Sequence, residues 1–305
     1  MGPILGPIAG GYLGEGAGWR WICWTLAIAS GVGAVTSFIF QEETYPPILL
    51  ARRTAKLIKE TGNANLRAQT DVDANRTPSQ IFGRAIIRPL KLLFLSPTIS
   101  ILSFYVGVVY GFMYLLFTTF PLVFQVQYGF STGEIGLTYI GLGIGSIFGL
   151  GIAGFVTDKI YRKKALDGPV KPEYRIVPLI PAAFCIPVGL FLYGWTTNYK
   201  THWIAPEIGT VFVGIGINVL MMCIATYFMD ANPRFEASAN AACTAVRSLI
   251  GALVPLFGRS MYEAMGLGWG NSLLGFLTLA MAPLPWFFFK YGEKIRMNPR
   301  FRPKM

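Results

Sequence analysis

Arg247 has the most demanding chemistry in this sequence, because it stands near the middle of an otherwise apolar run, Ser238–Tyr262. If that run crosses a bilayer, a bare cation there costs several kcal/mol, so it must face a partner, backbone carbonyls or a water-filled cavity. Ser238, Asn240, Cys243, Thr244 and Ser248 make the run around it weakly apolar, as a cavity lining would be. Either the guanidinium tethers its helix to carbonyl oxygens, or it serves a substrate or a moving proton. Tyr105, Tyr110, Tyr114 and Phe117 on one run, and Asn218, Met222 and Tyr227 on another, would suit a pocket for apolar cargo. Methionine and aromatic surfaces adapt to varied ligands, and lipid-facing positions would carry the same residues.

Other chemistries lack their parts. His202 is the one histidine, and no Ser/His/acid set, Gly-rich phosphate loop or His/Cys/carboxylate cluster accompanies it. No catalytic residue, metal site or cofactor is therefore expected, and no enzymatic activity. Cys23, Cys185, Cys223 and Cys243 fall on four different apolar runs and read as free thiols. Small residues are patterned instead. Gly141, Gly145 and Gly149 recur at every fourth position, as do Gly2, Gly6 and Gly10, with Pro3 and Pro7 between the latter. Such stripes let helix backbones approach closely, and proline bends the helix where it removes a hydrogen bond.

The elements that must carry these residues are membrane helices. Hydrophobic residues make up 53% of the 305 and charged residues only 13%, against ~25% charged in ordinary soluble domains; the mean hydropathy is +0.50. Runs of ~20 residues, enough to cross ~30 Å of hydrocarbon, occur at Arg20–Phe40, Thr98–Phe120, Gly133–Val156, Ile176–Trp195, Ala205–Phe228, Ser238–Tyr262 and Gly270–Phe289. Met1–Leu13 is apolar but too short to cross unaided. The net charge of +11 is not spread evenly. Lysines and arginines crowd the Gln41–Pro97 and Asp158–Arg175 loops and the tail from Lys290, with Arg234 in a third loop on the same side. Loops of that kind belong to the cytoplasm, so the basic balance reports topology and contact with a lipid bilayer rather than nucleic acid. In the long loop, Ile48–Lys59 and Ile81–Leu93 read as interfacial helices or solvated linker, and the polar stretch between them as irregular chain. The sequon Asn75-Arg76-Thr77 is followed by Pro78 and lies on the same expected side, which argues against glycosylation there.

The string Gly2-Pro3-Ile4-Leu5-Gly6-Pro7-Ile8-Ala9-Gly10-Gly11 resembles the antiporter motif on the fifth helix of drug:proton antiporters of the major facilitator superfamily, and Trp19-Arg20-Trp21 resembles the opening of their sixth. Glu42-Glu43-Thr44-Tyr45-Pro46-Pro47, Arg88-Pro89-Leu90-Lys91, Arg247-Ser248-Leu249-Ile250-Gly251-Ala252 and Gly266-Leu267-Gly268-Trp269-Gly270 are similar to landmarks of the fungal branch, in the same order. The resemblance implies an all-α polytopic membrane protein with the major facilitator fold. Its C-terminal six-helix half would be complete, preceded by the last one or two helices of the N-terminal half. Residues 1–40 would be that remnant, 41–97 the cytoplasmic central loop, 98–290 the six-helix bundle and 291–305 a cytoplasmic tail. The family's helices one to four have no counterpart here.

The same resemblance makes the run from Gly154 to Lys164 a second-half copy of a cytoplasmic gating motif. Asp158 and Arg162, one turn apart, would pair to latch that side, with Asp230 as a second acid; a basic anchor with incidental acids is the plainer alternative. The implied activity is export of a small organic molecule in exchange for protons, at the plasma or vacuolar membrane. The rival expectation is a truncated fragment that transports nothing.

Overall fold

The computed structural model describes residues 2–63, 66–67, 78–167, 171–233 and 235–298. The sequon Asn75-Arg76-Thr77, Arg234, Arg300, Arg302 and Lys304 lie outside the described residues. The described chain is mostly helical, without a β-strand. Helix α1 (Gly2–Ala17) ends at Gly18, whose φ of 85° admits the left-handed turn that stops it. Helix α2 (Trp19–Phe40) is 22 residues, about 33 Å at ~1.5 Å per residue. The two ends of the central loop are helices: α3 (Pro46–Thr61) opens on two prolines, and α4 (Pro78–Leu95) on one. Proline is tolerated there because first-turn N–H groups have no intrahelical acceptor.

Helix α5 (Pro97–Tyr128) is longer than its apolar run, 32 residues, and closes on Gly129, whose N–H returns to Gln125 O. A short helix α6 (Thr132–Leu137) begins with a reciprocal cap between Ser131 and Glu134, and two residues later α7 (Ile140–Asp167) starts. The next run is broken. Pro178, Pro181 and Pro187 withhold three backbone donors, so it is delivered as a 3-10 turn (Pro172–Ile176), α8 (Leu179–Ala182) and α9 (Cys185–Asn198). Helix α10 (Ile204–Ala231) follows, then α11 (Glu236–Met281) and α12 (Leu284–Met297).

Among the described residues six helical stretches are long and apolar enough to cross a membrane, the last being the 62 residues Glu236–Met297. That stretch would span ~90 Å if straight, three times the hydrocarbon core. It breaks at Gly266, with φ 73° and ψ 171°, a region open essentially to glycine alone. The two runs expected in this part of the sequence lie on either side of that residue, the second continuing across a turn at Ala282 and Pro283 into α12.

Two compact units divide the chain: residues 19–87, and residues 1–18 with 88–305. In the smaller, α2 buries no side chain. In the larger, α5 packs on α11, α7 on α10, and α9 on both α10 and α11. Leu102, Tyr105, Leu116, Phe120 and Phe124 of α5 meet Tyr193 of α9 and Leu220, Tyr227 and Phe228 of α10 in one core. All four cysteines are free.

Candidate functional site

Arg247 lies half-buried on α11, in the wall of a cavity of about 300 Å³. Asn218, Met221 and Met222 of α10 and Asn240 and Thr244 of α11 share that wall. Its guanidinium carbon stands 5.0 Å from the centre of the Tyr110 ring, and Nη1 is 3.7 Å from the Met221 sulfur. Its Nε is buried without an acceptor. No carboxylate pairs with it among the described residues. The cation is thus held by an aromatic face and a thioether, both weak acceptors, and keeps hydrogen-bonding capacity for something else. Asn218 donates to Ser146 Oγ at 2.8 Å and to Gly214 O at 3.0 Å, tying α10 to α7 beside the cavity.

Of the aromatics expected beside Arg247, Tyr110 is there, its hydroxyl 3.3 Å from that of Tyr114. Tyr105 and Tyr227 are not. Both are fully buried in the core with unpartnered hydroxyls. The reason is angular. At ~3.6 residues per turn each residue advances ~100°. Tyr227, nine positions from Asn218, faces about the opposite side of α10, whereas Met222 and Ala225 stay with Asn218. Tyr105 precedes the cavity-lining Val106 by one position and turns about 100° away from it. Tyr227 instead sits near Glu173: a Cβ added at Gly292 would lie 3.7 Å from the tyrosine oxygen and 3.3 Å from Glu173 Cγ.

A second cluster gathers where α7 and α10 end and the 3-10 turn begins. Arg175 donates from Nε to Asp230 at 2.8 Å and reaches Asp158 at 4.0 Å. The Tyr161 hydroxyl donates to the same Asp230 oxygen at 2.5 Å, and the Arg175 guanidinium lies 4.0 Å over the Tyr161 ring. Arg162, the expected partner of Asp158, is exposed and in no ion pair with it. An exposed i,i+4 pair gains only ~0.3–0.5 kcal/mol. Arg175, from the next element, gains two carboxylates and a ring in a half-buried place. Gly154 shows no close approach at all: nothing lies within 4 Å of a Cβ there. Two further bridges join the same end to α12. Arg296 donates to the buried Glu173 at 3.2 Å, and Glu293, 2.6 Å from Lys171, holds that ammonium above its usual range. Asp230→Asn is expected to cost about 2 kcal/mol, by leaving Arg175 half-buried without its anion. Asp158→Asn, at an exposed carboxylate, should cost below about 0.5 kcal/mol; thermal unfolding in detergent compares the two.

Helix α1 packs on α6, but not through the stripe expected. Nothing lies within 4 Å of a Cβ built at Gly2, Gly6 or Gly10. The contacting face holds Pro7, Ile8, Gly11, Tyr12 and Glu15. A Cβ at Gly136 would come within 2.5 Å of Pro7 O, one at Gly133 within 2.9 Å of the Tyr12 ring, and one at Gly11 within 2.8 Å of Thr132 O. The small residues that permit this approach are largely those of α6. Glu15 closes the contact by accepting the Gly133 N–H at 2.7 Å and the Ser131 hydroxyl at 3.3 Å.

Arg175, Tyr161, Glu173, Glu15 and Glu207 take part in these contacts although no sequence motif singles them out. Glu207 was findable, since a carboxylate in the first turn of an apolar run is a functional candidate by default. Arg175 was partly so, standing with Glu173 immediately before such a run.

The comparisons with known proteins agree with this architecture. The Major Facilitator Superfamily profile matches residues 1–255. The chain is 52% identical to the MFS-type transporter penM of Penicillium rubens (strain ATCC 28089 / DSM 1075 / NRRL 1951 / Wisconsin 54-1255), over 99% of itself and 60% of that protein. It is 51% identical to the MFS-type transporter tndD of Aspergillus flavipes, over 97% of itself and 56% of the relative. To the efflux pump radE of Floropilus chiversii it is 46% identical, over 100% of itself and 57% of the relative. The chain thus spans 56–60% of the length of these relatives. No solved structure matches. With its apolar helices and a family match over most of its length, this chain is a multi-pass membrane protein of the major facilitator superfamily.

Proposed function

We propose that the chain belongs to a proton-coupled secondary transporter that exports small organic molecules by alternating access. The observation that carries this reading is the Arg247 cavity: a cation without a carboxylate, an unused Nε–H, and amide and methionine walls inside a membrane bundle. Ligand sites in such folds lie near the bilayer midplane, and Arg247 is near the middle of its run. Arg247, Asn218 and Tyr110 would contact cargo or respond to protons, while Tyr105 and Tyr227 would support the wall from behind. The Arg175–Asp230–Tyr161 cluster, with Asp158, would latch the end that carries the basic loops, which is the cytoplasmic end in this reading.

In this reading residues 1–40 are a remnant of the N-terminal half, its partial fifth helix and its sixth, 41–97 the cytoplasmic central loop, 98–290 the six-helix bundle and 291–305 a cytoplasmic tail. The protein would reside in the plasma membrane. The names of the relatives, MFS-type transporter and efflux pump, support outward movement of small molecules.

The open Gly2, Gly6 and Gly10 face of α1 favours a second reading, that this chain alone inserts but moves nothing. Expression in cells lacking their own exporters separates the two. Reduced retention of at least one lipophilic compound from a panel, restored by collapsing the proton gradient, is the outcome expected of the transporter. Correct insertion with unchanged retention of every compound would establish the second.

A further inference from the structure

Helix α3 has no part in the transport reading, yet it carries the sharpest separation of charge from apolar surface among the loop residues. It is 16 residues long, about 24 Å, and no helix of its own unit packs along it. An isolated helix little longer than ~12–15 residues is marginal in water, because most helical stability comes from burying an amphipathic face. Helix α3 therefore needs a surface to fold on.

Its two faces say which surface. At ~100° per residue, Arg52, Arg53, Lys56 and Lys59 fall within a sector of ~120°. Glu60 shares that sector, 3.8 Å from Lys56, as does Leu49. Ile48, Leu50, Ala51, Ala55, Leu57 and Ile58 occupy the opposite half of the circumference. Ile48, Leu50 and Leu57 are between 39% and 41% exposed. The other nearby acids, Glu42 and Glu43, lie in the linker before the helix and not on its basic face. The linker also fixes where α3 can be. It runs from Gln41 to Tyr45, so Pro46 stays within ~20 Å of the end of α2. That helix is long and apolar enough to cross a membrane and buries none of its side chains.

We propose that α3 docks on the anionic phospholipid headgroups around the end of α2. Its leucine face enters the acyl boundary, and its arginines and lysines extend their stems past that face to reach phosphate and carboxylate groups. The attraction falls off within a Debye length, ~8 Å at physiological salt, so α3 lies along the headgroups rather than hanging below them. Each Lys or Arg brought to such a surface favours the docked state by about fivefold. What is recognised is surface charge and not one headgroup. An acidic protein partner is less favoured, because the short linker already delivers the helix to a bilayer. Docking does not depend on the chain transporting anything.

The test is amide hydrogen exchange, read by mass spectrometry, on the full chain in nanodiscs of phosphatidylcholine alone or mixed with phosphatidylserine. Residues 48–59 are expected to exchange at least tenfold more slowly in the anionic discs, and phosphatidylglycerol should serve as well as phosphatidylserine. Raising the salt to ~1 M, where the Debye length is ~3 Å, should remove the difference. So should the combined Arg52→Gln, Arg53→Gln, Lys56→Gln and Lys59→Gln variant, since glutamine keeps a similar helix propensity. Leu50→Ser with Leu57→Ser, which leaves every charge in place, should also lose the protection. Exchange in α5 should be the same in all of these samples. Equal exchange of α3 in neutral and anionic discs, or protection that survives the glutamine variant, would overturn the proposal. So would equal protection in uncharged detergent, which would place α3 against protein, or protection by inorganic phosphate in neutral discs, which would make the ligand a soluble anion.

Discussion

Replacing Gly145 with alanine is expected to lower the melting temperature in detergent by roughly 6–12 °C, from about 3 kcal/mol at ~2–4 °C per kcal/mol. Gly145 is where α7 and α10 come closest. A Cβ there would overlap the carbonyl oxygen of Val211 and lie 3.0 Å from its Cα. The approach is reciprocal, since a Cβ at Gly214 would come within 2.5 Å of Leu142 O and 3.1 Å of Gly145 Cα. These obstacles are backbone, so no rotamer change relieves them and the helices must separate. Overpacking of this kind costs ~1–3 kcal/mol, occasionally more. Here separation also stretches the Asn218–Ser146 bond at 2.8 Å and the Glu207–Gly141 bond at 3.1 Å, which bracket the contact. Gly151→Ala is the control on the same helix. Nothing lies within 4 Å of a Cβ at Gly151, so it should be neutral or gain up to ~1 kcal/mol from helix propensity. Equal melting of the two variants would show that the Gly145 contact is not where the helices hold together.

The contrast between these glycines shows what could be read from the sequence. That Gly141, Gly145 and Gly149 form a packing face follows from their spacing, and they do pack, on α10. The same spacing at Gly2, Gly6 and Gly10 gave a face that meets nothing within 4 Å, because periodicity identifies a stripe and not the surface opposite it. The membrane helices were legible because crossing hydrocarbon demands long apolar runs whatever the tertiary structure. The break at Gly266 was legible as the glycine-rich gap between two such runs.

Pairing was less accessible. Asp158 and Arg162 are one turn apart in sequence, but the cation that reaches Asp158 comes from the next element. Only the return of the 3-10 turn against α7 and α10 brings Arg175 there. Tyr105 and Tyr227 lie away from the cavity for a simpler reason, since the angular offsets from Val106 and Asn218 already set them on other faces. The burial of Glu207 depends on the first turn of α7 meeting that of α10, which no local pattern records.

Arg247→Met is expected to raise or preserve thermal stability while weakening ligand binding, and that opposition separates a binding role for the arginine from a structural one. A structural tether behaves the other way: its removal orphans the groups it held and lowers the melting temperature. Arg247 holds a ring face and a sulfur, and its Nε–H is already unpaired. Methionine would keep much of the apolar volume beside Met221 and Tyr110 while removing a half-buried charge that has no anion among the described residues. Replacing such charges with apolar groups is often neutral or stabilising. Ligand binding should move oppositely. A hydrogen bond from the guanidinium to a carboxylate or carbonyl of a bound ligand would contribute ~1.5–3 kcal/mol, so affinity should fall about 10–100-fold. Arg247→Lys should recover only part of it, because the ammonium restores the charge without the planar fork or the stacking on Tyr110. Thermal shift of the purified variants, alone and with a panel of anionic and carbonyl-bearing compounds, reads stability and binding together. A fall in ligand-free melting temperature with unchanged ligand shifts would return Arg247 to a structural role, and the cavity beside it would lose its claim to be the cargo site.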